Sequence, residues 1–300
     1  MRVLITGATG LIGKELVKQC LKQQIDVHYL TTSKSKLEDT ENYKGFYWNP
    51  RLGEINSDAI QGVDAIIHLA GATIAKRWTS DYKTEILESR VLTGNLLFNT
   101  LQKNEHVIKH FISSSGVNVY PSDYNELYTE DFKGVDDSFL GNVVVSWEEV
   151  ADKFNHLNIK VSKIRTGMVL DSKEGALPQI IKPIKFGVGA ALGSGNQWQS
   201  WIHLQDIAKI YLHVLTSKLE GTFNAVAPEP VTNSEMTKVL AKHLKKPLIL
   251  PNVPEFALKL ILGEMATLLT SSQNVSSQKI EKTGFKFDYP NLKEAVKDLL

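Results

Sequence analysis

Residues Val3 to Gly13 read VLITGATGLIG: a short β-type run, three glycines spaced GxxGxxG at positions 7, 10 and 13, and the opening of a helical pattern. A strand that turns on glycine into a helix is the context in which such spacing carries meaning. Gly7 permits a tight turn, Gly10 lets main chain approach a pyrophosphate with no Cβ in the way, and Gly13 lets the helix pack close to the strand. The helix start then offers N–H groups of Leu11 and Ile12 to anionic oxygens, and the dipole favours negative charge there. Turns also use glycine for purely steric reasons; the strand-to-helix placement favours a dinucleotide-binding turn.

Outward from this turn, short β-rich runs alternate with helical periods. Val3–Thr6, Val27–Thr31, Ala65–Leu69, Phe111–Ser113 and Val161–Ile164 are expected strands. Helices are expected over Leu11 to about Gln23, Lys83–Gln102 and Asn142–His156. This order predicts an α/β fold with a doubly wound parallel sheet. The expected division is a nucleotide-binding domain over 1–170, its sheet completed by parts of 200–228, and a smaller substrate or lid region over 171–300. In the latter, a helix is expected at Gln205–Leu215. A mostly helical part is expected from about residue 231, with segments at Ser234–Leu244 and Glu255–Leu269.

Composition bounds the partners. At 300 residues the chain can bury ~75% of the surface its unfolded form exposes, enough for a large core without staples. Its 34 basic and 33 acidic side chains give a net charge of +1, so there is no electrostatic case for nucleic acid or an anionic membrane; a small-molecule ligand is expected. The lone Cys20 cannot form an internal disulfide, and Met1-Arg2 runs directly into the first strand with no leader pattern, so a cytoplasmic location is expected. The apolar stretch Phe256–Leu269 falls short of the ~20 residues of a membrane span and contains Lys259 and Glu264, so it is expected to pack on the body of the protein. Nothing in the sequence points to a metal, and homo-oligomerisation stays open.

The second expected strand continues Thr31-Thr32-Ser33-Lys34, with no acid before Glu38. An NAD site usually presents a carboxylate here to the ribose hydroxyls. Hydroxyls and an ammonium suit a 2′-phosphate instead, so NADP is preferred over NAD; Lys34 can equally be a solvated turn lysine. Val63–Gly71 reads as a buried strand ending in the small residues Ala70 and Gly71, which let adenosine and ribose lie close to the backbone. His68 within it is expected to pack rather than react.

VLITGATGLIG, the VDAIIHLAGATI strand and the Ser113-Ser114-Ser115 run together resemble the extended short-chain dehydrogenase/reductase superfamily. Further stretches narrow the resemblance to its atypical branch of epimerase family proteins: Arg77-Trp78, Lys83, Glu88-Ser89-Arg90, Trp147-Glu148, Ile164 to Leu170, Ser200 to His203, Gly284-Phe285 and Tyr289-Pro290. The similarity spans essentially the whole chain. It implies an NADP-binding Rossmann body, with Thr31 and Thr32 beside the adenine ribose, Leu69 and Ala70 after the fourth strand, and Glu85, Arg90 and Met168 as further nucleotide neighbours. Thr9 belongs to the same phosphate turn. Glu85 and Arg90, five residues apart on one helix, can also be surface charges worth only tenths of a kcal/mol.

Typical relatives transfer protons through a Ser or Thr, a Tyr and a Lys, the last two spaced YxxxK on a helix. Ser115 matches the serine, yet Asp136 to Asp152, where the pair belongs, contains neither Tyr nor Lys. Tyr289 and Lys293 have the spacing, but proline directly follows the tyrosine near the C-terminus, which spoils helical presentation. Weak substitutes are Tyr120, which lacks a local lysine, and Glu148, which desolvation could turn into a base. The stripe Val144, Trp147, Ala151 and Phe154 argues that Glu148 or Glu149 lies on a wet face instead. His203 is expected to be structural. Arg165 could hold an anionic substrate or pair with a carboxylate, and Trp198 and Trp201 could stack on a ligand or cement the lid. The expected function is thus an NADP-binding epimerase- or oxidoreductase-like protein acting on an unidentified small molecule, the alternative being a non-catalytic NADPH sensor.

Overall fold

The computed structural model describes all residues, 1–300. Eight strands form the central sheet: β1 (Arg2–Thr6), β2 (Asp26–Thr31), β3 (Tyr43–Asn49), β4 (Glu54–Ile55), β5 (Ala65–His68), β6 (His110–Gly116), β7 (Lys160–Thr166) and β8 (Gly221–Ala225). Their spatial order is β8-β7-β6-β5-β1-β2-β3-β4. Every neighbouring pair is parallel except β3 and β4, which form an antiparallel hairpin at one edge. The chain order reverses between β1 and β5, and ligands of open α/β sheets bind beyond the strand ends at such a switch point.

Alternation along the strands sorts side chains to two faces. Val3, Ile5, Val27, Tyr29, Ile67, Ile112, Ile164 and Phe223 pack under α1 (Leu11–Lys22) and α5 (Leu204–Thr216). Leu4, Leu30, Phe46, Trp48, Ile66, Phe111 and Val161 pack under α2 (Ser80–Lys103) and α3 (Phe139–Asp152). A third cluster, built on Leu170, Leu177, Trp201, Met236, Leu240 and Leu292, joins the later segments. It draws on α4 (Ala176–Lys185), α6 (Asn233–His243) and the last helix, α8 (Leu292–Leu299). No helix is long and apolar enough to cross a membrane.

The expected strands and helices of the first half are present with shifted ends, but β3 is additional. Its run YKGFYWN places Phe46 and Trp48 in the core and carries Tyr43 against Tyr29 of β2, rings stacked 4.4 Å apart. The single helix expected at Glu255–Leu269 is broken. α7 (Glu255–Leu262) stops at Gly263, whose φ of 61° is not helical, and two short turns follow. Within α7 only Leu258 is buried, while Phe256, Leu260 and Ile261 face outward, so that helix packs on the body less fully than expected.

Candidate functional site

The glycine turn has the geometry its residues demand. Gly7 adopts φ 71°, and a Cβ there would lie 2.9 Å from the carbonyl carbon of Leu69. A Cβ on Gly13 would lie 2.1 Å from the Gly7 oxygen, so only glycine lets α1 descend onto the turn. Gly10 is the N-cap residue, and no side chain caps the helix. The first N–H groups of α1, those of Leu11 and Ile12, therefore open toward the ends of the strands, where an anion is favoured.

Beside the turn lies a cleft of about 470 Å³, lined from β1 by Gly7 and Thr9, from β2 by Thr31 and Thr32, from the β5 end by Ala70 and Gly71, and from α2 by Glu85. These seven sequence-selected residues are thus brought together. Gly10, Leu11, Ile12 and Gly13, which follow Thr9 into α1, and Leu69, which precedes Ala70, are not among the lining residues. Lys34 is exposed and not among the lining residues, though its ammonium lies 5.1 Å from the centre of the ring of Tyr47, which is. Met168 is also outside the lining: it pairs with Trp201 between two short parallel strands and packs on the third cluster. Sequence reasoning missed Tyr47, Asn49 and Arg51, which the β3–β4 hairpin delivers to the cleft. The aromatic run Tyr43–Trp48 before Asn49-Pro50 was the available signal.

Thr6 organises the wall between β1 and β5. Its hydroxyl oxygen accepts the N–H groups of Leu69 at 3.1 Å and Ala70 at 3.0 Å, and lies 2.8 Å from His68 Nδ1. With its single proton directed to Nδ1, the imidazole is neutral with hydrogen on Nε2, which faces Thr93 Oγ1 at 3.3 Å. Burial pushes the His68 pKa down to about 4, consistent with a packed, neutral ring. Arg90 is buried rather than a surface charge. Its guanidinium donates to the carbonyls of Ala72 and Ile86 and lies over the Trp147 ring, and burial lowers its pKa to about 10. Its role here is to tie the loop after β5 to α2 and α3.

A second constellation occupies the far side of the switch point. Ser115 on β6, Arg165 on β7 and Asn224 on β8 are register partners in one row across the sheet, on the face covered by α3. Above the row sits Glu148, only 9% exposed, so of the two candidates for the wet face it is Glu149 that is exposed. Ser115 Oγ donates to Glu148 Oε1 at 2.6 Å, and Arg165 grips both carboxylate oxygens, Nε at 2.8 Å and Nη2 at 2.9 Å. Burial pushes the Glu148 pKa up, but the Arg165, Ser115 and Lys163 partners outweigh it and hold the carboxyl below its usual range. The remaining guanidinium nitrogen, Nη1, donates to the Tyr120 hydroxyl at 3.0 Å, which in turn donates to Asn224 Oδ1 at 2.8 Å.

Tyr120 therefore has the cationic partner its local sequence lacks. It is nonetheless 0% exposed, and burial raises its pKa, so the phenol is sealed from any ligand in the cleft. The remaining candidates of the sequence make internal contacts. His203 caps α5 by accepting from Gln205 and stacks on Tyr289. Trp201 is buried with its indole N–H on the Glu229 carbonyl, and Trp198 donates to the Tyr124 carbonyl. Tyr289 itself is fixed by its backbone N–H to Asp206, so the Tyr289–Lys293 spacing forms part of the C-terminal tether.

The parallel sheet with reversed strand order, the glycine turn into α1 and the cleft at the switch point define a Rossmann-type protein of the extended short-chain dehydrogenase/reductase class. Residues 3–135 match the NAD dependent epimerase/dehydratase family and residues 253–299 match a domain of unknown function, DUF1731. An epimerase family protein of Staphylococcus saprophyticus subsp. saprophyticus is 36% identical over 304 residues, covering 99% of this chain and 98% of the relative. Another from Staphylococcus aureus strain N315 is 35% identical over 302 residues, with the same coverage of 99% and 98%. Among solved structures, human epimerase family protein SDR39U1 (isoform 2) with NADPH superposes with a TM-score of 0.87 at 28% identity, covering 100% of this chain and 99% of that one. UDP-glucuronic acid 4-epimerase from Bacillus cereus, at 16% identity and a TM-score of 0.80, covers 100% and 98% and shares the fold. The chain belongs to the epimerase family of NAD-dependent epimerases/dehydratases.

Proposed function

We propose that this protein binds NADP(H) through the turn Gly7–Gly13 and acts on a small molecule as an epimerase- or oxidoreductase-like protein with an atypical proton-transfer site. The observation that carries the proposal is the uncapped start of α1 opening beside a cleft lined by Gly7, Thr9, Thr31, Thr32, Ala70, Gly71 and Glu85. The N–H groups of Leu11 and Ile12 would hold the diphosphate, and the hydroxyls of Thr31 and Thr32 the adenosine ribose region. The small residues at the β5 end would let the nucleotide lie against backbone. The absence of an acid at the β2 end and the NADPH of the human structural neighbour support NADP over NAD. Bound nicotinamide would supply the capacity to accept or release hydride. Ser115, 3% exposed with its proton committed to Glu148, would accept a hydrogen bond through its lone pairs only from a substrate hydroxyl inserted as far as the end of β6.

A second reading is favoured by one observation: the place vacated by the Tyr–Lys pair is filled by an ionised, doubly gripped Glu148–Arg165 pair. Such a carboxylate is a weak base, which suits a protein that holds NADPH without turnover and reports its occupancy. Calorimetry with NADPH and NADH tests the shared premise; Gly10→Asp, which sets a carboxylate against the diphosphate, is expected to abolish binding. Unchanged affinity in that variant would overturn the site. Oxidation of NADPH with a panel of carbonyl compounds and nucleotide sugars, lost in Ser115→Ala, supports the enzyme; binding without turnover on any of them supports the sensor.

A further inference from the structure

The cleft contains one cation, and it is not the one that sequence points to. Of its lining residues only Arg51 is a lysine or arginine, whereas Glu85 and Glu88 contribute two carboxylates. A nucleotide with a 2′-phosphate brings about two more negative charges into that space, a cost that needs a local cation. Lys34, the nearest basic residue in sequence to Thr31 and Thr32, is not among the lining residues; its ammonium lies over the ring of Tyr47 at the cleft edge, 5.1 Å from the ring centre.

Arg51 owes its position to the β3–β4 hairpin. β3 ends at Asn49, and Leu52 N–H donates back to the Asn49 carbonyl at 3.1 Å. Gly53 then turns with φ 69°, and β4 returns antiparallel. Arg51 thus projects from the tip of a short turn, where Nη2 meets the Glu85 carboxylate of α2 across the cleft. A guanidinium has five N–H donors in a fixed fork, so one edge can remain on Glu85 while the other takes a phosphate. A lysine there would offer only a point charge.

We infer that Arg51, held by Glu85, is the residue that recognises the 2′-phosphate and so sets the preference for NADP over NAD. The inference rests on the nucleotide reading above and adds the residue that discriminates between the two coenzymes. In this arrangement Glu85 is a positioning residue: it neutralises and orients the guanidinium, whose side chain is otherwise 66% exposed. The threonines of the β2 end supply hydroxyl contacts to the same group. Because the contact is near solvent, the preference is expected to weaken as salt rises, NADPH losing more affinity than NADH.

The test is titration calorimetry of NADPH and NADH with the full chain and three variants: Arg51→Ala, Arg51→Lys and Lys34→Ala. Arg51→Ala is expected to weaken NADPH roughly tenfold or more while leaving NADH unchanged, the loss of a charge-assisted hydrogen bond. Arg51→Lys should recover part of the loss, and Lys34→Ala should behave as wild type. Selective loss of NADPH in Lys34→Ala instead, equal loss of both coenzymes in Arg51→Ala, or a wild-type protein that binds NADH as tightly as NADPH would each overturn the assignment with the nucleotide site left standing. Wild-type protein that binds neither coenzyme would remove the nucleotide site itself.

Discussion

His68 carries a consequence for stability. Its ordinary pKa of 6.5 falls to about 4 in the folded protein. Between these values the unfolded chain takes up a proton that the folded one refuses, so stability declines as pH drops through that window. The full difference amounts to roughly 3 kcal/mol. Urea denaturation between pH 7 and 4 should show a steeper fall for wild type than for His68→Asn; equal slopes would mean that the ring titrates normally. At Glu148 the expected effect is that of a broken buried ion pair. Arg165→Met strands the carboxylate and should cost about 3 kcal/mol or more, largely relieved by the double change with Glu148→Leu. The difference between these two residues also marks what local sequence can say. His68 lies in an apolar run and reads as buried. Glu148 borders the helical stripe, four residues after Val144, so periodicity leaves it open whether Glu148 or Glu149 faces solvent, and the arginine brought in by β7 makes burial of Glu148 tolerable.

At the scale of elements, α2 and α3 meet with little room. A Cβ on Gly94 would come within 2.5 Å of Val150 Cγ1. Gly94→Ala should therefore destabilise by about 1–3 kcal/mol despite improving helix propensity. Adding Val150→Ala should recover a large share of it, and a double-mutant cycle by denaturation that finds the two changes additive would refute the contact. The strands β1, β2, β5, β6 and β7 and the helices α1, α2, α3 and α5 were legible because apolar period and length agree. β3 was not, since its alternation is blurred: Tyr43, Tyr47 and Trp48 are aromatic on both faces. Reading past it also hid Arg51, because a hairpin tip has no signature beyond its turn residues. The break in the late helix was obscured for the opposite reason. Apolar residues continue across Gly263, so periodicity extends beyond the point where backbone geometry stops.

Across the whole molecule, a buried acid helps to hold the C-terminal segment beside the packing of α8 in the third cluster. Asp206 on α5 accepts the N–H groups of Asp288 at 2.9 Å and Tyr289 at 3.0 Å, and Tyr289 stacks on His203 at 3.9 Å. Asp206→Ala should cost about 2 kcal/mol and expose the stretch from Phe285 onward to limited proteolysis; an unchanged cleavage pattern would show that α8 docks without this tether. The order of β and α periods, together with the glycine spacing, was sufficient to determine the doubly wound class of the sheet and the tight turn into α1, because alternating periods and a strand–turn–helix are written in contiguous sequence. The Ser115–Arg165–Asn224 row, the burial of Glu148 and the entry of Arg51 into the cleft were decided by tertiary structure alone. Each depends on strand register or on a hairpin that joins residues far apart in the chain, and charges so separated acquire their partners only when the sheet assembles.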